Sequence, residues 1–297
     1  MSKKFGLVSR MSKIELPYLL SFINYYDKLG VEEFCFISTR PSENPLIKKF
    51  LEGFHNVTII DKTGALMGCQ TEGINHLTSE WVLSFDIDEF LMLPKHQTLN
   101  AFISSLPKNI NFIAVRWIMA VNDLGCKNLP KSGVKGHTGK YIIKRKKIET
   151  LREHGAKMKV PKIIYETQCN EGYLAHYWCR SLNDMILKVI YHDFKGPKNS
   201  SLGHLLKSLN GGVIPNRLRI LATLAKSPKP FRFHFHPLDI NEKLEMELLR
   251  EKITPRQHKR IKKMFKAYKS KLTRNHISLY PVGKRSLRSL PKMLPKR

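Results

Sequence analysis

From residue 5 to residue 85 the chain switches repeatedly between two hydrophobic periods. Short apolar runs at Phe5–Val8, Val31–Ser38, Val57–Ile60 and Trp81–Phe85 are rich in β-branched and aromatic residues and read as buried strands. Between them Ile14–Leu29, Leu46–Phe54 and Thr71–Leu77 read as helices. In the first of these Leu16, Leu19, Leu20, Ile23 and Tyr26 recur at helical spacing, Pro17 fits the opening turn and Gly30 the stop. Strands joined through helices pair in parallel, because a parallel return needs a crossover about as long as a helix. The expected class is α/β, with a mostly parallel mixed sheet between layers of helices. Such sheets bind ligands beyond the C-terminal ends of their strands.

The fourth strand ends in Asp86-Ile87-Asp88-Glu89-Phe90. Side chains alternate along a strand, so Asp86 and Asp88 are expected to point the same way and share one ligand. Two adjacent carboxylates repel unless a cation joins them or one takes a proton. A hard divalent ion such as Mg2+ or Mn2+ suits them, since it prefers oxygen ligands and keeps sites for water and phosphate. The plainer alternative is a strand end followed by an acidic turn.

Beyond residue 94 the pattern loosens. Phe112–Val121 and Lys140–Ile143 read as strands on either side of a Gly- and Lys-rich loop, Gly125–Gly139. Residues 144–172 look basic and irregular. Tyr173–Trp178 is a short aromatic strand, and Ser181 caps a helix running to about Asp193. Helices are then expected near Ser200–Leu209, Asn216–Lys226, Asp239–Arg250 and Pro255–Leu272, before a basic tail, Pro281–Arg297, that is either disordered or a weak amphipathic contact with anionic lipid. The expected organisation is one α/β domain over residues 1–195, a helical region over 196–280 and the tail over 281–297.

Fifty-two Lys and Arg against 24 Asp and Glu give a formal charge of +28, which favours anionic partners: nucleic acid, anionic lipid, or phosphorylated substrates. A codon bias toward lysine gives the same surplus without any partner. Five cysteines without a CxxC pair fit buried thiols in a reducing compartment better than a disulfide framework or a zinc site. No stretch approaches the ~18 apolar residues of a transmembrane helix, and no secretion signal is legible at the N-terminus. The expected location is cytoplasmic, with peripheral contact at the inner face of a membrane as the variant that the tail suggests.

Taken together, Tyr18-Leu19-Leu20, Tyr25-Tyr26, Leu29-Gly30-Val31, Phe34 and Trp81 through Phe90 resemble family-2-like glycosyltransferases with an Asp-x-Asp-Glu-Phe signature. Val115-Arg116-Trp117 followed by Gly125, and His176-Tyr177-Trp178-Cys179-Arg180-Ser181 with Lys188, extend the likeness to about residues 5–195. The resemblance implies a GT-A-like three-layer sandwich that moves a sugar from a nucleotide-diphosphate donor to a hydroxyl of a glycan, lipopolysaccharide or glycolipid, with Mn2+ or Mg2+ as cofactor. It implies Asp86, Asp88 and His176 as metal ligands, and Asp86, Asp88, Arg180 and Lys188 on the donor. Glu89 either orients a ligand or forms a structural hydrogen bond. Asp123, following the next strand, is the candidate base if configuration is inverted. Two stretches depart from the family pattern: Ser9–Lys13 replaces an Asn-Glu pair, and Ser38–Asn44 replaces an Asn-x-Ser-x-Asp turn. Both ordinarily help hold the nucleotide.

Other features carry less. His234 and His236 alternate on one strand face and either bind a metal or form its polar edge. The clusters Lys144–Lys147 and Lys157, Lys159, Lys162 are either solvated surface or a grip on an anionic acceptor. A haloacid-dehalogenase-type phosphotransferase wants its first acidic motif near the N-terminus, and a nucleic-acid module would show a recognisable motif with stacking aromatics. Neither pattern is present, so a nucleic-acid partner is not expected. A degenerate transferase serving as a scaffold remains the non-catalytic alternative.

Overall fold

The computed structural model describes residues 4–62, 68–120, 132–152, 155–177, 180–191, 231–232 and 240–263. The first half runs β1 (Phe5–Met11), α1 (Leu16–Lys28), β2 (Val31–Ser38), α2 (Asn44–Phe50), β3 (Val57–Asp61), α3 (Cys69–Asn75), β4 (Trp81–Ser84) and β5 (Glu89–Met92). Then follow α4 (Leu99–Ser104), β6 (Phe112–Ala120), β7 (Ser132–Lys144), β8 (Ile148–Arg152), β9 (Gly155–Met158), β10 (Ile164–Glu166), β11 (Tyr173–His176), α5 (Leu182–Tyr191), β12 (Phe231–Arg232) and α6 (Glu242–Arg250).

Among the described residues one sheet of ten strands has the order β3-β2-β1-β4-β7-β6-β11-β5, with β10 beside β6 and β12 beside β7. The four leading strands are parallel, as expected, and β7 and β5 run against their neighbours, so the sheet is mixed. Alternation along β1 separates two apolar layers. Leu7 faces a cluster with Leu19, Phe22 and Tyr26 of α1, while Val8 faces Cys69 and Ile74 of α3. Helices thus cover both faces of the sheet. α3 lies very close: a Cβ on Gly73 would stand 2.4 Å from Val8 Cγ2, so only glycine permits that approach.

Several elements differ from expectation. The loop expected over Gly125–Gly139 is strand from Ser132 onward, because β7 forms a long antiparallel pair with β6 down to Gly133. The supposedly irregular 144–172 holds β8, β9 and β10; their basic residues obscured short runs such as Ile148-Glu149-Thr150-Leu151. β5 was not foreseen, since its Glu-Phe-Leu-Met sequence carries neither period long enough to register. The cap on α5 is as expected: Ser181 Oγ accepts from the Asp184 amide at 2.9 Å. The helices expected near Ser200–Leu209 and Asn216–Lys226, the tail, and His234 and His236 lie outside the described residues, as does the boundary at residue 195. Among the described residues no helix is long and apolar enough to cross a membrane, and Cys35, Cys69 and Cys169 are free thiols.

Candidate active site

The strand order turns at β1: the chain moves from β1 to β2 and β3 on one side, then returns to place β4 on the other. In open α/β sheets a crevice opens at such a reversal, at the C-terminal strand ends. Arg10 near the end of β1 and Asp86 beyond β4 lie there. β11 runs parallel to β6, which runs antiparallel to β7, itself antiparallel to β4, so the C-terminal end of β11 reaches the same edge. That end is His176, whose register partner across β5 is Glu89. Four strands therefore deliver Arg10, Asp86, Glu89 and His176 to one place.

Neither aspartate is on a strand. β4 ends at Ser84, and residues 86–89 form a turn in which the Glu89 amide donates to the Asp86 carbonyl at 2.9 Å and the Asp86 amide donates to Glu89 Oε2 at 2.8 Å. Strand alternation consequently does not govern where Asp86 and Asp88 point, and each has its own partners. Asp86 Oδ2 accepts from Lys140 Nζ at 2.8 Å, and its Oδ1 lies 3.8 Å from Arg10. Asp88 Oδ2 accepts from Lys188 Nζ at 2.8 Å, and its Oδ1 lies 3.5 Å from His176 Nε2. From beneath, Tyr26 pins the turn: its hydroxyl donates to the Glu89 carbonyl at 2.8 Å and accepts from the Leu91 amide at 3.0 Å.

Charge balance follows from these partners. Burial pushes the Asp86 carboxyl up, but Lys140 and Arg10 outweigh it and hold the group below the ordinary range. Asp88 is driven well below that range, because Lys188 and His176 overcome a similar burial penalty. Glu89 is fully buried, and burial together with the Asp86 charge, against Lys140, leaves it up at about 7. Among the described residues its Oε1 has no hydrogen-bond partner, and it lies 3.8 Å from His176 Nδ1. Burial pushes the His176 imidazolium down, but Asp88 and Glu89 raise it on balance.

Of the residues expected at the site, Asp86, Asp88, Glu89, His176 and Lys188 converge. Arg180 does not reach the crevice. Its side chain is wholly buried, bonded to Glu15 at 2.7 Å and Asp184 at 2.9 Å, and stacked 3.3 Å from the Tyr18 ring centre. Both carboxylates meet one terminal nitrogen of the guanidinium, which thereby braces α1 against α5. Asp123 lies outside the described residues. Lys140 was missed: it is one lysine among many in a segment read as loop and strand edge, and only the β4–β7 pairing places it beside the acids. The two departing stretches meet each other and α5: the Lys13 amide donates to Glu43 Oε2 at 2.7 Å, and Arg40 donates to the Tyr191 carbonyl.

Residues 16–201 match the sequence profile of Glycosyltransferase family 92, well over half of the chain. The chain belongs to Glycosyltransferase family 92. It is therefore a glycosyltransferase, as the sequence motifs implied, and the family reached is 92 where the motifs pointed to a family-2-like group. Comparison with curated proteins gives no match. Among solved structures, HddC from Yersinia pseudotuberculosis aligns over 62% of this chain and 96% of its own, at 12% identity and a TM-score of 0.41. S. aureus TarS aligns over 69% of this chain and 42% of its own, at 12% identity and 0.36. Glucosyl-3-phosphoglycerate synthase from Mycobacterium tuberculosis, solved with Mn2+, uridine diphosphate and glucosyl-3-phosphoglycerate, aligns over 49% and 58%, at 14% identity and 0.30. Likeness this faint says nothing about donor or acceptor in this family-92 chain.

Proposed function

We propose that this family-92 enzyme transfers a sugar from a nucleotide-diphosphate donor to a hydroxyl of a glycan, lipopolysaccharide or glycolipid, with Mn2+ or Mg2+ held by Asp88 and His176. One observation carries the reading: Asp88 Oδ1 and His176 Nε2 face each other at 3.5 Å at the topological switch point. Neighbouring ligands on one ion with bonds of about 2.1 Å stand roughly 3 Å apart, so the pair suits a shared cation. Among the described residues no three His, Cys, Asp or Glu are gathered into a ready-made cage. A two-ligand site accords with ions that keep water and substrate phosphate as their remaining ligands.

A bound divalent ion supplies Lewis-acid stabilisation to the negative charge that develops on the departing nucleoside diphosphate. The residues arrange for this in three ways. Lys188 fixes Asp88 through the oxygen turned away from His176. Glu89 stands 3.8 Å behind His176, where its charge raises the basicity of the ring as a ligand. The Tyr26 hydroxyl holds the turn that presents both acids. The basic surface complements an anionic acceptor or a membrane face, consistent with a cytoplasmic enzyme working beside lipid.

A thermal-shift screen of nucleotide-diphosphate sugars with and without Mn2+ tests this. Ligand at about 100 times Kd stabilises the fold by about 2.7 kcal/mol, and the Asp88→Asn enzyme should lose the Mn2+-dependent part of the shift. A shift that persists unchanged in that variant would sink the metal role of Asp88.

A further inference from the structure

Exposed large apolar side chains are few among the described residues: Leu20, Leu46, Ile163 and Ile164. The last two are neighbours, and Ile164, at 53% exposure, is the barest of the set. Single exposed leucines need no explanation, whereas adjacent isoleucines left in water mark a contact surface. Asn111, itself buried, holds them in place with every polar group it has. Its side-chain nitrogen donates to the Pro161 carbonyl at 3.0 Å, and its side-chain oxygen accepts from the Ile163 amide at 2.9 Å. Its backbone amide donates to the Ile163 carbonyl at 3.3 Å, and its carbonyl accepts from the Lys144 amide at 3.1 Å.

Lysines surround the pair. Ile164 is in register with Phe112, whose ring belongs to the apolar layer that Ile148 and Leu151 of β8 complete. Ile164 thus shares a face with the β8–β9 hairpin, and Lys162 Nζ sits 4.9 Å from the same Phe112 ring centre. Lys146 and Lys147 lead into the hairpin and Lys157 and Lys159 lie on its return, all of them exposed. The Lys159 amide donates to the Lys147 carbonyl at 2.8 Å, which ties the two ends together. Glu149 pairs with Lys157 at 2.5 Å, the one acid that answers this group among the described residues.

We propose that this patch docks the enzyme on an anionic lipid bilayer, with the lysines on headgroup phosphates and Ile163 and Ile164 in the acyl boundary. A bilayer satisfies both halves of the patch, since it offers negative charge outside and hydrocarbon just beneath. A second copy of this chain would bring its own lysines against these, and β10 offers only 3 residues for pairing. The contact extends the membrane side of the function proposed above and depends on neither donor nor metal. Its position has a consequence. Ile164 stands beside Phe112 and His176 beside Met119, about 20 Å further along β6. A docked bilayer therefore leaves the crevice open at the opposite edge of the sheet. The acceptor hydroxyl must then stand off the headgroups, as the outer sugars of a glycolipid or lipopolysaccharide do.

Co-sedimentation of the full chain with vesicles tests this, using phosphatidylcholine alone and phosphatidylcholine mixed with phosphatidylglycerol, without donor or Mn2+. The wild-type chain should bind only the anionic vesicles, and less at high salt. Lys146→Glu/Lys147→Glu/Lys159→Glu should weaken binding about 100-fold or more, at about 5-fold for each lysine lost. Lys28→Glu/Lys48→Glu/Lys49→Glu changes the net charge equally on exposed positions of α1 and α2, and should bind within about 5-fold of wild type. Ile163→Ser/Ile164→Ser keeps every charge and should weaken binding about 10-fold or more. All these positions are exposed, so each variant should melt with wild type. Equal losses in the two lysine variants would assign the attraction to overall charge, and unchanged binding in the isoleucine variant would leave that pair without a role. Either result, or a wild-type chain that ignores anionic vesicles, overturns the proposal. A failed nucleotide screen with vesicle binding intact falls instead on the donor and metal reading alone.

Discussion

Arg180→Met separates the two roles that a buried arginine in a donor-binding motif could have. In the structure the guanidinium bonds Glu15 on one side and Asp184 on the other while lying flat on Tyr18. The methionine fills much of the volume but leaves both carboxylates without their principal cation. Breaking a buried ion pair from one side costs about 3–5 kcal/mol, because an uncompensated charge stays behind. Two features place the cost here toward the lower figure. Asp184 keeps Lys188 at 3.4 Å and the backbone amide of residue 180 at 2.9 Å. The wild-type guanidinium is itself imperfectly satisfied, since its Nε and one terminal nitrogen have no hydrogen-bond partner among the described residues. Loss of the Tyr18 stack adds back about 1 kcal/mol. The expected total is about 4 kcal/mol, a fall in Tm of about 8–16 °C for a domain of this size. Urea unfolding and a thermal melt measure it, with nucleotide-diphosphate affinity recorded on the folded fraction. A melt within about 2 °C of wild type together with a large loss of nucleotide affinity would refute the strut and restore a donor-binding role.

Gly73→Ala should destabilise the fold by about 1–3 kcal/mol, the usual cost of overpacking, despite the roughly 1 kcal/mol that alanine gains within a helix. The new Cβ would meet Val8 at 2.4 Å and Ile37 at 3.0 Å, and an unchanged or raised Tm would show that α3 can lift off the sheet at little cost. Glu33 predicts a pH dependence: burial pushes its carboxyl up, but bonds from Ser79 and Thr78, through hydroxyls and amides alike, overcome this and hold it below its ordinary value. A carboxyl lowered in the folded state adds stability that is complete above its unfolded pKa and fades as pH falls through the folded one. Glu33→Gln should therefore cost stability at pH 7 and flatten the acid limb of the stability curve, and parallel curves for the two proteins would remove Glu33 from that limb.

The leading fold was legible because each of its elements carries one clean period. Leu16, Leu19, Ile23 and Tyr26 mark a helix face and are buried against the sheet, whereas Leu20, expected with them, is exposed because it lies off that face. Legibility failed where pairing, not pattern, creates the element. β7 begins at Ser132 with Ser-Gly-Val-Lys-Gly-His-Thr-Gly, a sequence with little strand character, and becomes a strand because β6 offers a long apolar partner. Gly139 is part of that fit: a Cβ there would fall 2.0 Å from the Trp117 ring, so the glycine lets the tryptophan of β6 lie across β7. Nothing within residues 125–139 announces this, because the cause lies in a different strand.

The same limit explains the site. Asp86, Asp88 and Glu89 were evident since acids are scarce in this chain, and His176 and Lys188 came from a motif that a family resemblance could supply. Lys140 could not stand out among so many lysines, and composition argues against burying any of them. Its position is fixed by register alone: Ser84, the last residue of β4, pairs with Tyr141 in antiparallel register, so the preceding residue of β7, Lys140, lies beside the turn that carries the acids. The strand that supplies the counter-charge is antiparallel to β4, and it therefore enters the crevice from the side opposite the parallel strands that bring Arg10 and, more distantly, His176. An acidic turn at this edge is thus bracketed by cations from both sheet directions, and His176 stands between two of its oxygens, Asp88 Oδ1 at 3.5 Å and Glu89 Oε1 at 3.8 Å. A motif of two aspartates reads as one symmetrical cation clamp in sequence, and the mixed strand directions make it asymmetric in space.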